Sequence, residues 1–483
     1  MHGDLSTAYK QARDNILGPL EQQGRVSLDR DGNDRTAAMV QWQDEAARSA
    51  FGANVAAIPP YEPGGFQVIS ASASSGQVEL TIRGGMAWAD GLLAYANDNS
   101  NFTATPLGAP PTGFRVGDRD VVILELWRES LSAFQYPDRL LEPALGGPDT
   151  AARLRTAFCL RVARLDGAET CTTVLNRLAD DSTTLGALTV TLTPTMTVPS
   201  DCPETLAGGY TGFEHDLYRI EIARLSPGIP PMFKWSTNNG GLVGRGRMET
   251  GQVVITANDQ SILRSGLDAF YLEIVSEDPH VPGTWLSVYG APATLLPEGR
   301  LALGTAPLLG SAPPTGDFFF RLWDGILKLE DFPSASAPEL RDGIHLGFAP
   351  PDPVTARYRP GDYWTFAVRA AGLANPGTLI DAQPPEGIRF HRVPLAEIEW
   401  TKESNAPVIY DCRVLLEPKG ERRSCCSYTV GASGADFTLI QAAVDALPSD
   451  GGCICVLAAR TRASGRSGSN WIAIFLLMPG SSS

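Results

Sequence analysis

Glycine and proline interrupt this sequence so often that long helices have little room. The 483 residues include 49 glycines and 37 prolines, about 18% together against an average near 12%. Both weaken helix interiors and supply turns. Between them lie short apolar-rich runs that read as strands, several with apolar residues at every second position, the pattern of a half-buried strand. The clearest cover residues 121–127, 158–162, 218–222, 253–256, 270–275, 318–323 and 344–348. In the sixth, Phe318, Phe320 and Leu322 face one side and Arg321 the other. The expected fold class is mainly β, a multidomain β-rich body with an N-terminal helical segment.

The charge balance narrows the partners. There are 39 basic and 54 acidic residues, a net charge of −15. Lysine occurs only at Lys10, Lys234, Lys328, Lys402 and Lys419, and the arginines are dispersed, so the clustered basic surface that nucleic acid needs is not expected. At 43% apolar and 19% charged residues the chain has the composition of a globular protein. Its start, Met1-His2-Gly3-Asp4-Leu5, lacks the basic and apolar stretches of a secretory signal. The late apolar run at 471–478 is far shorter than the ~20 residues that span a bilayer. These features predict a soluble protein made in the cytosol, with no membrane span. Eight cysteines are too sparse for a disulfide scaffold and read mainly as small buried residues.

The length predicts two to four domains. A polar helical stretch opens the chain, and a second helix is expected from about Asp34 to Phe51, with Ala38, Val40, Trp42, Ala46, Ala50 and Phe51 as an imperfect apolar stripe. A Pro/Gly-rich turn at 58–65 ends this segment. The expected divisions are an N-terminal segment at 1–52, β-rich domains at 53–245 and 246–413, a polar linker at 414–427, a compact segment at 428–457 and a low-complexity tail at 458–483. One internal echo, residues 158–165 against 218–225, is too little for a repeat array. In the compact segment Phe437, Ile440, Val444 and Leu447 predict a short amphipathic helix stopped by Pro448, and 453–457 a strand.

No catalytic, cofactor or metal site is expected from motif chemistry. Asp29-Arg30-Asp31-Gly32-Asn33-Asp34 begins like a calcium loop, but Asp34 stands where glycine should and Val40 where the closing glutamate should, so a capped turn is expected. Cys453 and Cys455 fall on one strand face, and Cys425 and Cys426 could lie near them in space. No histidine follows His391 to complete a zinc set, and buried or disulfide cysteines are the alternatives. His2, His215, His280, His345 and His391 show no helical metal pairing. Acidic pairs such as Asp180-Asp181 and Glu330-Asp331 carry little information about acid–base chemistry. Phosphate-loop, dinucleotide and nucleophile-elbow motifs are absent from the sequence.

Several stretches resemble an uncharacterised bacterial family associated with phage-tail-like contractile injection particles. They are Gly3-Asp4 with Gln22-Gln23-Gly24-Arg25-Val26-x-Leu28-Asp29-x-Asp31, Trp88-x-Asp90-Gly91, Leu126-Trp127-Arg128-Glu129 and the block at 142–151. Further on come Leu217-Tyr218-Arg219-Ile220-Glu221, Phe233-Lys234-Trp235-Ser236-x-Asn238-Asn239-Gly240, Asp342-Gly343-Ile344, Gly361-Asp362-Tyr363-Trp364 and Pro394-Leu395-Ala396. The segment at 428–457 resembles the entry of a right-handed parallel β-helix of the pectin-lyase-like kind, truncated here because only 26 residues follow Leu457. The resemblance implies a structural or attachment component, baseplate- or fibre-like and not an enzyme. It would dock other particle proteins, be assembled into the particle and released with it, and be trimeric by analogy with tail proteins. The alternative is a carbohydrate-binding or formerly polysaccharide-cleaving β-helix protein, in which Trp127, Trp235, Trp323 and Trp364 would stack on a cell-surface glycan.

Overall fold

The structure, a computed structural model, describes residues 2–7, 16–74, 77–106, 115–145, 149–194, 196–198, 204–206, 208–278, 285–370, 375–401, 407–416, 427–431, 435–447, 454–457 and 471–474. The chain divides into two compact units, Met1–Leu415 and Leu416–Ser483. It is mainly β throughout, and all seven expected strands lie within observed strands. No helix among the described residues is long and apolar enough to cross a membrane.

Among the described residues the first unit contains three larger β bodies and a two-stranded ribbon, Met196–Val198 with Glu204–Leu206. In the first, the sheet Val408–Asp411, His391–Glu399, Arg119–Leu131, Arg153–Arg164 packs against Val68–Ser74, Gln77–Ala89, Ala56–Ile58, Val414–Leu415, with Leu92–Ala104 also paired to Gln77–Ala89. Alternate residues of both sheets, among them Leu80, Ile82, Leu124, Leu160 and Leu395, fill one core together with Trp400 just beyond the strand His391–Glu399. The second body is also a sandwich. Gly325–Lys328, Met232–Ser236, Asp216–Ile222 and Tyr363–Val368 face Glu339–Arg341, Ile344–Ala349, Ala187–Leu192 and Thr378–Gln383 across Tyr218, Ile220, Phe233, Phe348 and Trp364. The third is a closed six-stranded barrel in the order Leu242–Glu249, Gln252–Ala257, Arg300–Leu303, Trp285–Leu295, Ala269–Glu277, Asp317–Trp323. Phe318, Phe320 and Leu322 point into it, as their alternation requires.

These bodies nest. The barrel occupies the interval between Met232–Ser236 and Gly325–Lys328 of the second sandwich, and that sandwich occupies the interval between Arg153–Arg164 and His391–Glu399 of the first. The first and last strands of the unit close it, Ala57 pairing with Val414 and Ile58 with Leu415 in parallel. The division expected at residue 245 falls inside the strand Leu242–Glu249. Local periodicity marks strands, but it carries no information about a partner hundreds of residues away.

The N-terminal helix runs Asp29–Phe51, five residues longer at its start than expected. Asp29 and Asp31 stabilise its first turn, where unpaired amides favour negative charge. Asp31 also accepts from the Leu28 N–H at 3.4 Å. Asp29 accepts from the Ser6 N–H at 2.9 Å and the Ser6 hydroxyl at 2.7 Å. Residues 29–34 are therefore helical and not a cation loop. The polar helical stretch expected before this falls largely on residues 8–15, outside the described residues, and 16–28 are not helical. The helix meets the first sandwich through two ion pairs, Asp44 with Arg128 and Arg48 with Asp90 at 3.1 Å, and one aromatic contact, Phe51 against Trp88 at 5.3 Å between ring centroids. Ala47 is its one buried residue. Trp42, Ala46 and Ala50, expected among the apolar stripe, face outward with Met39.

In the second unit Tyr428–Val430 pairs in parallel with Ile454–Leu457 across the helix Ile440–Asp445. Val430, Ala443 and Ile454 form its core, with Phe437, Val444 and Leu447 against them. Ile440, expected in the apolar stripe, is exposed, and Ala443 takes the inward position. Trp471–Ile474, in the expected low-complexity tail, forms a third strand antiparallel to Ile454–Leu457. Pro448 lies outside the described residues.

Candidate functional site

Two constellations stand out in the first unit. The first is a charged network pressed between the outer face of the second sandwich and the outer face of the barrel. Alternation puts Tyr218, Ile220 and Ile222 in the sandwich core and so turns Arg219 and Glu221 outward. Phe233 and Trp235 do the same for Lys234. On the barrel, Leu272 and Ile274 turn Glu273 outward, while Phe320 and Leu322 do so for Arg321 and Trp323. All five charged residues are nonetheless buried.

A buried charge is tolerated only when paired and hydrogen-bonded, and the pairing is dense. Lys234 Nζ lies 3.0 Å from Glu221 Oε1 and 2.6 Å from Glu273 Oε2. Arg219 donates to Glu221 from Nε at 2.7 Å and stacks 3.6 Å above the Tyr363 ring. Glu273 also accepts from Ser287 Oγ at 2.6 Å and Trp323 Nε1 at 2.8 Å. Burial opposes ionisation of Glu221 and Glu273, but Lys234, helped at Glu221 by Arg219, holds both carboxyls below their usual range. Burial brings the Arg321 guanidinium down to about 10.

The N-terminus completes this network. His2 Nε2 lies 3.0 Å from Glu221 Oε2, and its ring meets Trp323 edge-on at 5.8 Å. Its backbone N–H donates to Ser130 of the first sandwich at 2.7 Å. Gly3 and Asn239 exchange hydrogen bonds of 3.1 Å. A quarter of the His2 side chain remains accessible, yet burial, followed by Arg219 and Arg321, pushes its pKa well below normal against the pull of Glu221. Gly240 is required here: at φ +119° its Cβ would lie 2.5 Å from the His2 ring.

The second constellation is a cleft of about 450 Å³. Its walls are the helix Val174–Ser182, which leads from the first sandwich to the second, and residues 384–390, which lead back. Asp362 lies on its floor and accepts from the Thr184 hydroxyl at 2.6 Å and the Arg359 N–H at 2.8 Å. Burial raises the Asp362 pKa despite these bonds. Arg392 is held by Glu125 at 2.6 Å, a fully buried carboxylate that Arg161 also pairs at 2.6 Å. Arg359 has a different environment. Its guanidinium reaches the Thr184 hydroxyl at 3.4 Å and lies 6.0 Å from the Phe390 ring centre. Burial, with Arg392 and Arg161 nearby, lowers its pKa although Asp362 opposes this.

The residues singled out from sequence are dispersed. Trp323 and Trp364 are fully buried and Trp127 and Trp235 nearly so, which removes all four as a sugar-stacking surface. His391 accompanies Asp90 at 2.8 Å, His345 joins Thr193 at 3.0 Å, and His215 accepts from the Ala370 N–H at 3.0 Å. His280 lies outside the described residues, as do Cys425, Cys426 and Cys453. Cys455 is buried and disulfide-bonded. Cys171 and Cys412, 241 residues apart, form a disulfide that sequence spacing did not reveal. Cys159 is a free buried thiol, pushed up to about 12 by burial and by Glu125. Among the described residues no group of three or more His, Cys, Asp or Glu side chains could hold a metal ion. Comparison with known proteins finds no family model, no curated protein and no solved structure that matches the chain.

Proposed function

We propose that this chain is a structural or attachment component of a phage-tail-like contractile injection particle, working by protein–protein docking and not by bond chemistry. The observation that carries this reading is the N-terminal segment. The helix Asp29–Phe51 is fastened to the body by ion pairs and by Phe51, while two of its large apolar side chains stay outward: Trp42 is 70% exposed and Met39 56%. Leu17, Leu20, Val26 and Leu28 extend the exposed apolar set along the preceding chain. Burying one such side chain in a partner contributes ~1.5–3 kcal/mol, and apolar surface held out by a rigid element is the physical signature of docking. The occupant is another protein of the particle, presenting an apolar groove to the helix.

The ordered resemblance over residues 1–413 supplies the particle context. The Cys171–Cys412 bridge supports a working life outside the reducing cytosol in which the chain is made. The parallel pairing of Tyr428–Val430 with Ile454–Leu457 across a helix is compatible with the first coil of a right-handed β-helix.

Removing residues 1–52 would also withdraw His2 and Gly3 from the buried network, so substitution is the cleaner test. Met39→Glu with Trp42→Glu should leave the melting temperature unchanged and abolish co-sedimentation with assembled particles. Undiminished co-sedimentation of the folded variant rejects the anchor.

A further inference from the structure

We infer that the cleft between the two sandwiches binds an acidic sugar, a hydroxylated ring bearing one carboxylate. Its position is one where ligand sites concentrate, at the junction of two bodies, and both connections of the nested insertion line it. Its volume suits one or two sugar rings and lies within the usual range of ~300–1,000 Å³.

The charge of the site selects an anion. Arg161, Arg359, Arg389 and Arg392 stand in or beside it, against the carboxylates of Asp90, Glu125 and Asp362, and Asp90 is already paired with Arg48 and His391. Glu125 engages Arg161 and Arg392, and Asp362 already accepts from Thr184 and the Arg359 backbone. Arg359 is half-buried, and its guanidinium has no carboxylate within ion-pairing distance among the described residues. Arg389, exposed on the rim, likewise forms no ion pair with them. A guanidinium fork matches a carboxylate with two parallel hydrogen bonds. The remaining walls select the ring. Phe390, Pro384, Pro385 and Ile388 offer apolar surface, and Asn54, Asn176 and Thr183 place polar groups around the rim. A bare anion would leave that apolar surface unused, and a neutral sugar would leave the Arg359 fork without a carboxylate at pairing distance.

This site lies apart from the outward face of the helix Asp29–Phe51, so its failure would leave the docking proposal standing, and the reverse. The test is calorimetric titration of the full chain with D-glucuronate, D-glucose, acetate and inorganic phosphate. Glucuronate should bind saturably, and glucose, which lacks the carboxylate, at least about tenfold more weakly, as expected when a charge-assisted pair is lost. Arg359→Gln should weaken glucuronate by about tenfold or more and Arg389→Gln by a smaller factor. If Arg359→Gln alters the melting temperature, the exposed Arg389→Gln decides alone. Absence of saturable glucuronate binding, or variants that bind as wild type does, overturns the inference. Acetate or phosphate binding as tightly as glucuronate also overturns it, because the ring would then contribute nothing.

Discussion

The Lys234 ammonium lies 2.6 Å from Oε2 of Glu273, although one residue belongs to the second sandwich and the other to the barrel. Together with Glu221, 3.0 Å away on the sandwich side, the pair joins two bodies whose own cores are separate. Removing one partner of a buried pair costs ~3–5 kcal/mol, since the other charge stays buried. Lys234→Met should therefore loosen the barrel from the sandwich, and calorimetry should show a barrel transition separating to lower temperature. Lys234→Met with Glu273→Gln should recover part of the loss. A single unshifted transition in Lys234→Met would show that the network does not join the bodies.

His2 makes the same junction pH-sensitive. Its folded pKa lies well below normal because burial and the neighbouring Arg219 and Arg321 disfavour the cation. The unfolded chain takes up that proton near pH 6.5 and the folded chain does not, so the contribution of His2 is present above that pH and lost as pH falls towards its folded pKa. His2→Gln keeps a hydrogen-bonding side chain without the titration. Its melting temperature should fall less than that of wild type between pH 7 and 5, and parallel curves would exclude His2 as the source.

Gly91 fixes the seat of the N-terminal helix. It sits at φ +90°, and a Cβ there would come within 2.5 Å of the Asp44 carbonyl oxygen. Gly91→Ala combines left-handed strain with a backbone clash and should cost upwards of ~1 kcal/mol. Limited trypsin digestion should then cut at Arg35 and Arg48 faster than in wild type. Unchanged digestion would mean that the helix tolerates displacement without loosening.

The Cys171–Cys412 bridge closes a span of 241 residues that contains the whole second sandwich and the barrel. Loss of a native disulfide typically costs ~2–5 kcal/mol, more for long loops in the chain-entropy account. The double substitution Cys171→Ser with Cys412→Ser should lower the melting temperature and remove the difference between oxidised and reduced protein at this pair. Alkylation of both thiols without prior reduction would show that the bridge is not formed.

Much of the architecture was legible because it is local. Two-residue periodicity located strands such as Asp317–Trp323 and put Phe318, Phe320 and Leu322 on the inner face. The start of the helix Asp29–Phe51 was less legible, since Gly32 and Asn33 are poor helix formers and only tertiary partners such as Ser6 reveal why the turn holds. The charged network was hidden by the same alternation that located its strands. Arg219, Glu221, Lys234 and Arg321 occupy positions that normally face water, and their burial follows from a second body covering that face. A usable signal was present in Arg219-x-Glu221, opposite charges on one strand face. The cleft drew on loops, where Arg359, Arg389 and Phe390 have no periodicity to read.

The pairing of Ala57 with Val414 also sets an order of events at the ribosome. The barrel is contiguous in sequence and can assemble while the rest is being made, whereas Arg119–Leu131 must wait for His391–Glu399. At ~5–20 residues per second that delay is on the order of tens of seconds, during which half-built sheet edges stand open to chaperones or to other chains. Closure thus proceeds from the innermost body outward, and only a chain translated through Leu415 can seal the outermost one. A synthesis interrupted before Leu415 therefore leaves a finished barrel held by an unfinished shell.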